Sequence, residues 1–341
     1  MTASACILGC SGLTLTKAEK AFFRDVQPWG FILFARNVES PEQVRALTAA
    51  LRETVGRADA PILIDQEGGR VARLKPPHWK RYPPGRAYGA LAGNDPLLRR
   101  EITRLGARLL AHDLAALGIN VDCVPVLDVP DPQGHEIIGD RAYGQTPEEV
   151  ALLGRAAAEG LIAGGVLPVI KHIPGHGRAK ADSHLELPVV EAAWDELAGR
   201  DFAPFQALSD MPMAMTAHVI YTAVDPKRPA TTSKKAFKRV IRGAIGFDGL
   251  VMSDDLSMKA LAGDFRERAE TSLAAGCDVV LHCNGDMAEM KAVVAGTGDL
   301  KGRAARRAEA ALARLPKAAE PFDAAEGRAR FDAAFGGEWA S

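Results

Sequence analysis

Eight short, nearly unbroken apolar runs, separated by helical patterns, narrow the folds open to this sequence to very few. They lie at 6–9, 30–34, 61–64, 119–124, 166–170, 211–216, 249–253 and 277–282. A half-exposed antiparallel strand alternates apolar and polar residues. Runs without alternation fit parallel strands covered on both faces. Helix start signals fall between them: Thr16 with Glu19, Ser40-Pro41 with Gln43, and Thr146-Pro147 with Glu149 read as N-cap and capping-box partner, the latter two with proline at the first helical position. Ile102, Leu105, Leu109, Leu110, Leu114 and Leu117 follow helical spacing, and Ser233 can cap a helix ending near Gly243.

Strands alternating with helices make either an eight-stranded barrel or a doubly wound sheet. The count of eight favours the α/β class with a (β/α)8 barrel, and so does the placement of polar residues. Asp65, Asp128, Lys171-His172, His218, Asp254-Asp255 and Asn284 stand at or just beyond the C-terminal ends of the runs, where barrel enzymes keep their chemistry. Gly9-Cys10-Ser11-Gly12 after the first run is too weak a glycine pattern for a dinucleotide fold. The expectation is one domain over residues 1–341, with a long Pro-rich loop at 75–85 and a tail from about 317 that either packs as a helix or frays.

With 42 basic and 43 acidic residues the formal net charge is −1, so no long-range field draws the chain to nucleic acid or to an anionic membrane. Cys6, Cys10, Cys123, Cys277 and Cys283 are odd in number and scattered through apolar runs, which fits buried thiols in a reducing compartment. The N-terminus carries no basic segment ahead of a signal-type apolar stretch, and no run approaches the roughly 20 residues needed to span a bilayer. A cytoplasmic protein is expected, a monomer acting on a small molecule, with no cofactor and no membrane partner.

Four constellations carry chemistry. The densest is Lys171-His172-Ile173-Pro174-Gly175-His176-Gly177 followed by Asp182-Ser183-His184. Asp182 and His184 are two apart on a loop, where a carboxylate beside an imidazole fixes the ring and favours its protonated form, as a general acid/base requires. Two other assignments stay open on spacing alone: a Zn²⁺ site from His172, His176, Asp182 and His184, and a loop held by its own hydrogen bonds. The second is Ser253-Asp254-Asp255-Leu256, directly after an apolar run. One aspartate there can act as nucleophile, base or ligand while its neighbour caps the next helix. The third, Asp65-Gln66-Glu67-Gly68-Gly69-Arg70-Val71-Ala72-Arg73, offers a carboxylate for vicinal sugar hydroxyls, glycines for close backbone approach, and Arg73 as a donor. The fourth is the polar loop Gly139-Asp140-Arg141-Ala142-Tyr143; taken singly, the third and fourth read as readily as surface salt bridges.

In this order the stretches IDQEGGRVARL, GDRAYG, KHIPGHG with DSH, and VMSDDLSM resemble glycoside hydrolase family 3, in particular its bacterial β-N-acetylglucosaminidases. The resemblance spans roughly residues 5 to 290. It implies a (β/α)8 barrel and retention through a covalent glycosyl-enzyme. By motif position it implies Asp254 as nucleophile and His184 as acid/base assisted by Asp182. Asp65, Arg73, Arg141, Lys171 and His172 become the sugar-binding set, with no metal. The implied substrate is a glycan or muropeptide, from which N-acetylglucosamine is removed during peptidoglycan recycling. Two departures from the family pattern are Ile173, where phenylalanine is common, and the segment 178–181. A phosphorylase using the same site, a metal-dependent barrel hydrolase and a non-catalytic sugar-binding protein are the alternatives. Phosphate dependence, chelation and turnover separate them.

Overall fold

The structure, a computed structural model, describes residues 2–91, 95–183 and 185–339. Among these residues eight parallel strands close into a barrel in chain order: β1 Ser4–Gly9, β2 Pro28–Leu33, β3 Ile62–Ile64, β4 Val121–Asp122, β5 Leu167–Ile173, β6 Met213–Thr216, β7 Leu250–Asp255 and β8 Val279–His282. Each falls within or overlaps one of the eight apolar runs. β1 pairs with β8, so no open edge remains among them.

Side-chain alternation explains why the runs are apolar throughout. Ile7, Ile32, Leu63, Val169, Met213, Met215, Met252 and Leu281 fill the barrel interior. Their neighbours Leu8, Phe31, Leu33, Ile62 and Ile64 pack under the helices on one side, and Ile170, Ala214 and Val251 on the other. A strand with a core on each face has no position left for water.

The cap signals hold with one modification. Thr16 and Glu19 form a reciprocal capping box on Lys17–Val26. Ser40 and Thr146 cap Pro41–Val55 and Pro147–Ala163, but Gln43 and Glu149 reach past the cap to the amides of Glu39 and Gln145. Ser233 Oγ accepts from Ala236 N at the start of the helical segment Ala236–Ala244. The five cysteines are free and buried. The tail forms a helix, Ala324–Ala334, whose Phe331 is buried in one core with Tyr82, Tyr88 and Ile102.

Two irregularities in the ladder position the site. On β5, Lys171 pairs with Met215 and Ile173 with Thr216, so β5 carries an extra residue there. Between β7 and β8, Met252 faces Val279 and Asp255 faces Leu281, so β7 carries one too. A regular strand sends consecutive side chains to opposite faces; a bulge re-aims them. Both bulges lie at the C-terminal rim, and Lys171 with His172, and Asp254 with Asp255, all line one pocket.

Candidate active site

That pocket opens at the barrel mouth and encloses about 200 Å³. Its floor on the β3–β5 side is an ion network. Lys171 Nζ lies 2.8 Å from Asp65 Oδ1 and 2.7 Å from Glu67 Oε1. Arg141 grips Glu67 with two parallel bonds, Nε to Oε2 and Nη2 to Oε1, each 2.8 Å. Arg73 Nη2 donates to Asp65 Oδ2 at 3.3 Å and its guanidinium lies over the Phe34 ring. The local chain dictates this placement. Glu67 N donates to Val71 O in a tight turn, and Gly68 takes φ +97°, where a Cβ would strike Pro83 O.

Burial alone would raise the Glu67 and Asp65 carboxyls. Arg141 and Lys171 outweigh it at Glu67, and Lys171 with Arg73 at Asp65, so both are held below the usual carboxylate range. Burial would likewise depress Lys171, and the two carboxylates raise it instead. The network is therefore fully charged, with charged donors still unspent. An ammonium has three N–H groups and Lys171 gives two to this network; a guanidinium has five and Arg141 gives two to Glu67 and one to Ile137 O.

Beside this network, on the segment after β4, Asp128 is a hub. Its Oδ2 meets His172 Nδ1 at 2.7 Å, and its Oδ1 accepts from the backbone amides of His172 and His176. Burial opposes its ionisation, and the His172 contact outweighs it and lowers its pKa. With Nδ1 held, Nε2 is the His172 nitrogen left to meet a ligand. The His176 turn lies close against residue 129, and a Cβ on Gly177 would overlap Val129 O. Burial pushes the His176 imidazole down to about 4, against the pull of Asp128.

Asp254 closes the third side. Its amide donates to Thr216 Oγ1 at 3.3 Å, and its Oδ1 accepts from Asp255 N at 2.8 Å. Asp255 holds the turn after β7: its carboxylate accepts from the Ser257 amide and hydroxyl and from Cys283 N. The helix cap expected of this pair is instead Asp264, ahead of Phe265–Ala275, because a turn intervenes before the chain becomes helical.

Of the residues expected in the site, Asp254, Asp65, Arg73, Arg141, Lys171 and His172 all border this pocket. Asp182 stands on the loop beside the pocket-lining Ser183. His184 lies outside the described residues. Among those described, no group of three His, Cys, Asp or Glu is disposed to share a metal ion. Sequence reasoning left Glu67, Asp128 and Ser183 out of the site. Glu67 was visible within IDQEGGRVARL, but its pairing with Arg141 joins positions 74 residues apart. Asp128 stands beyond a strand in the sequence, and its partner His172 lies 44 residues away. Arg141, readable as one half of a surface salt bridge, is instead in a buried pair.

A family model, the Glycosyl hydrolase family 3 N terminal domain, matches residues 9–316. A curated relative from Aromatoleum aromaticum, named Beta-hexosaminidase, is 38% identical over 321 residues, 93% of this chain and 89% of the relative. One of the same name from Bordetella pertussis is 40% identical over 283 residues, covering 82% of this chain and 80% of that one. Among solved structures, NagZ from Neisseria gonorrhoeae in complex with N-trifluoroacetyl-D-glucosamine superposes with a TM-score of 0.85 at 33% identity, over 100% of this chain and 99% of that one. On sequence, fold and a charged pocket at the barrel mouth, this chain belongs to glycosyl hydrolase family 3 and is a glycoside hydrolase.

Proposed function

We propose that the protein is a retaining β-N-acetylglucosaminidase that removes terminal β-linked N-acetylglucosamine, its natural substrates being 1,6-anhydro-muropeptides of cytoplasmic peptidoglycan recycling. The observation that carries the catalytic part is Asp254, a carboxylate at the C-terminal end of β7 bordering the same small pocket as the ion network. The relatives named Beta-hexosaminidase and the neighbour solved with N-trifluoroacetyl-D-glucosamine support the sugar.

In this mechanism Asp65 accepts hydrogen bonds from vicinal hydroxyls, and Lys171, Arg73, Arg141 and His172 donate with the N–H groups their ion pairs leave unspent. Because those pairs fix the side chains beforehand, little reorganisation remains at the transition state. The Asp254 carboxylate attacks C1 as the bond to the leaving oxygen breaks, and His184, polarised by Asp182, gives that oxygen its proton. Water, deprotonated by His184, then cleaves the glycosyl-enzyme and frees Asp254. No step requires a metal, and one chain suffices.

Trapping with a fluorinated glycosyl inhibitor and mapping the labelled peptide tests the nucleophile. A label on Asp254 is expected; a label on Asp255, or none, overturns it. Comparing a chromogenic β-N-acetylglucosaminide with the matching β-glucoside tests the sugar, and a preference for the glucoside would remove it.

A further inference from the structure

We infer that His176 and Ser183 form a clasp that docks the acid/base loop onto the pocket, making both positioning residues for proton donation. The inference rests on the reading that the loop's 182–184 segment carries the proton donor. It concerns two residues which that reading leaves without a task.

His176 belongs to a rigid part of the mouth. Its amide donates to Asp128 Oδ1 at 2.6 Å, the same oxygen that takes the His172 amide. Its ring is 3% exposed and lies edge-on to the His172 ring, 5.8 Å between centroids. From this anchored position His176 Nε2 reaches Ser183 Oγ at 3.3 Å. Ser183 is the middle residue of Asp182-Ser183-His184 and is itself 3% exposed. Its carbonyl is held from the other side, accepting from Ala260 N at 3.3 Å, on the segment that follows Asp254-Asp255. One small residue thus bridges the two walls of the mouth, the histidine turn after β5 and the turn after β7.

Chemistry makes these bonds consequential. His176 Nδ1 is buried without a hydrogen-bond partner, so Ser183 is the one polar side chain its ring engages among the described residues. Losing that contact would strand both ring nitrogens, a costly state for a buried imidazole. An imidazole kept neutral by burial can take either role in the bond, donor or acceptor, as the serine hydroxyl can. Asp182, one position before Ser183, is held as well, its carbonyl accepting from the amides of Leu185 and Glu186 at 2.9 and 3.0 Å. On either side the chain is tied elsewhere, by Arg178 to Asp201 at 2.8 Å before Ser183 and by the pairing of Val189–Val190 with Ile220–Tyr221 after it, while Leu185 is 67% exposed. Between those two ties, the clasp registers Ser183 against the pocket that it lines.

The experiment is a double-mutant cycle read on two leaving groups. Ser183→Ala, His176→Ala and the pair are assayed for kcat/KM on a β-linked disaccharide and on a dinitrophenyl glycoside. A hydrogen bond of ordinary strength corresponds to a loss of about five- to tenfold. That loss is expected on the disaccharide, which needs protonation as its bond breaks, with a much smaller one on the activated glycoside. The double variant should be no worse than the poorer single variant, and Ser183→Thr should recover most of the loss. Equal losses on both substrates, or effects that multiply in the double variant, overturn the clasp. Ser183→Ala removes one oxygen and serves if His176→Ala does not fold. His184→Ala separates the two levels of the proposal. If it discriminates between leaving groups and the clasp variants do not, the clasp alone fails. If His184→Ala does not discriminate, the proton-donor assignment fails first.

Discussion

The barrel has an ion cluster at each end, and the two differ in what surrounds them. At the mouth, Lys171 on β5 and Asp65 and Glu67 just after β3 pair at 2.7–2.8 Å, with Arg141 clamping Glu67. At the opposite end, Asp278, just before β8, takes Arg242 at 2.8 Å and Arg307 at 3.1 Å, and Arg307 also holds Asp248 ahead of β7. There the cations come from Ala236–Ala244 and Gly302–Leu312 in the surrounding helices, and Asp278 Oδ2 also accepts from Val251 N. That cluster ties helices to strand starts. The mouth cluster borders a pocket and leaves N–H groups unspent. Similar bonds thus tie helix to strand at one end and, in the proposed function, prepare recognition at the other, as barrels divide their two faces.

Mutation sharpens that contrast. The largest effect belongs to Asp254→Ala, which should lower kcat/KM by about 10⁴-fold or more with the unfolding transition little changed. Residual turnover near the wild-type rate would place the nucleophile elsewhere. Glu67→Gln comes next. It strands Arg141 and weakens the hold on Lys171, so chemical denaturation should show a loss of about 3 kcal/mol. Displacement of Lys171 and Asp65 should also cost about 10²-fold in kcat/KM of the folded enzyme. Asp278→Asn should cost about 2 kcal/mol by the same measurement while kcat/KM stays at the wild-type value. A drop in kcat/KM there would break the division between the two ends.

A smaller effect is confined to pH. Folding holds His176 neutral down to about 4, whereas an unfolded histidine titrates near 6.5. Between these values the unfolded chain binds the extra proton, so this contribution is complete above 6.5 and is lost as pH falls towards about 4. His218, also lowered by burial, adds to the same slope. His176→Phe should flatten stability against pH over that window; an unchanged slope would show that His176 protonates freely in the folded state. Below it, Asp65, Glu67 and Asp128 contribute stability that is present above the ordinary carboxylate range and fades as pH drops through their depressed values. The smallest effect is expected from exhaustive chelation, which should leave turnover intact. Loss restored by Zn²⁺ alone would turn the histidine turn into a metal site.

The sequence by itself determined the barrel. A strand buried on both faces admits almost no polar residue, so each of the eight strands announced itself, and the polar residues ending them marked the working face. It also marked part of the pocket, because Asp65, Lys171, His172 and Asp254 sit one or two steps beyond those apolar stretches. Tertiary structure decided the pairings. Glu67 with Arg141, Asp128 with His172 and His176, and His176 with Ser183 depend on distances across the mouth that chain order does not encode. The bulges in β5 and β7, which turn two consecutive side chains into one pocket, depend on the register of neighbouring strands. Whether the carboxylate that Arg141 or Arg307 meets borders a pocket or a strand start is settled by which end of the barrel the arginine reaches. A charge looks the same in sequence at either end, and only its surroundings in the fold determine what it can bind.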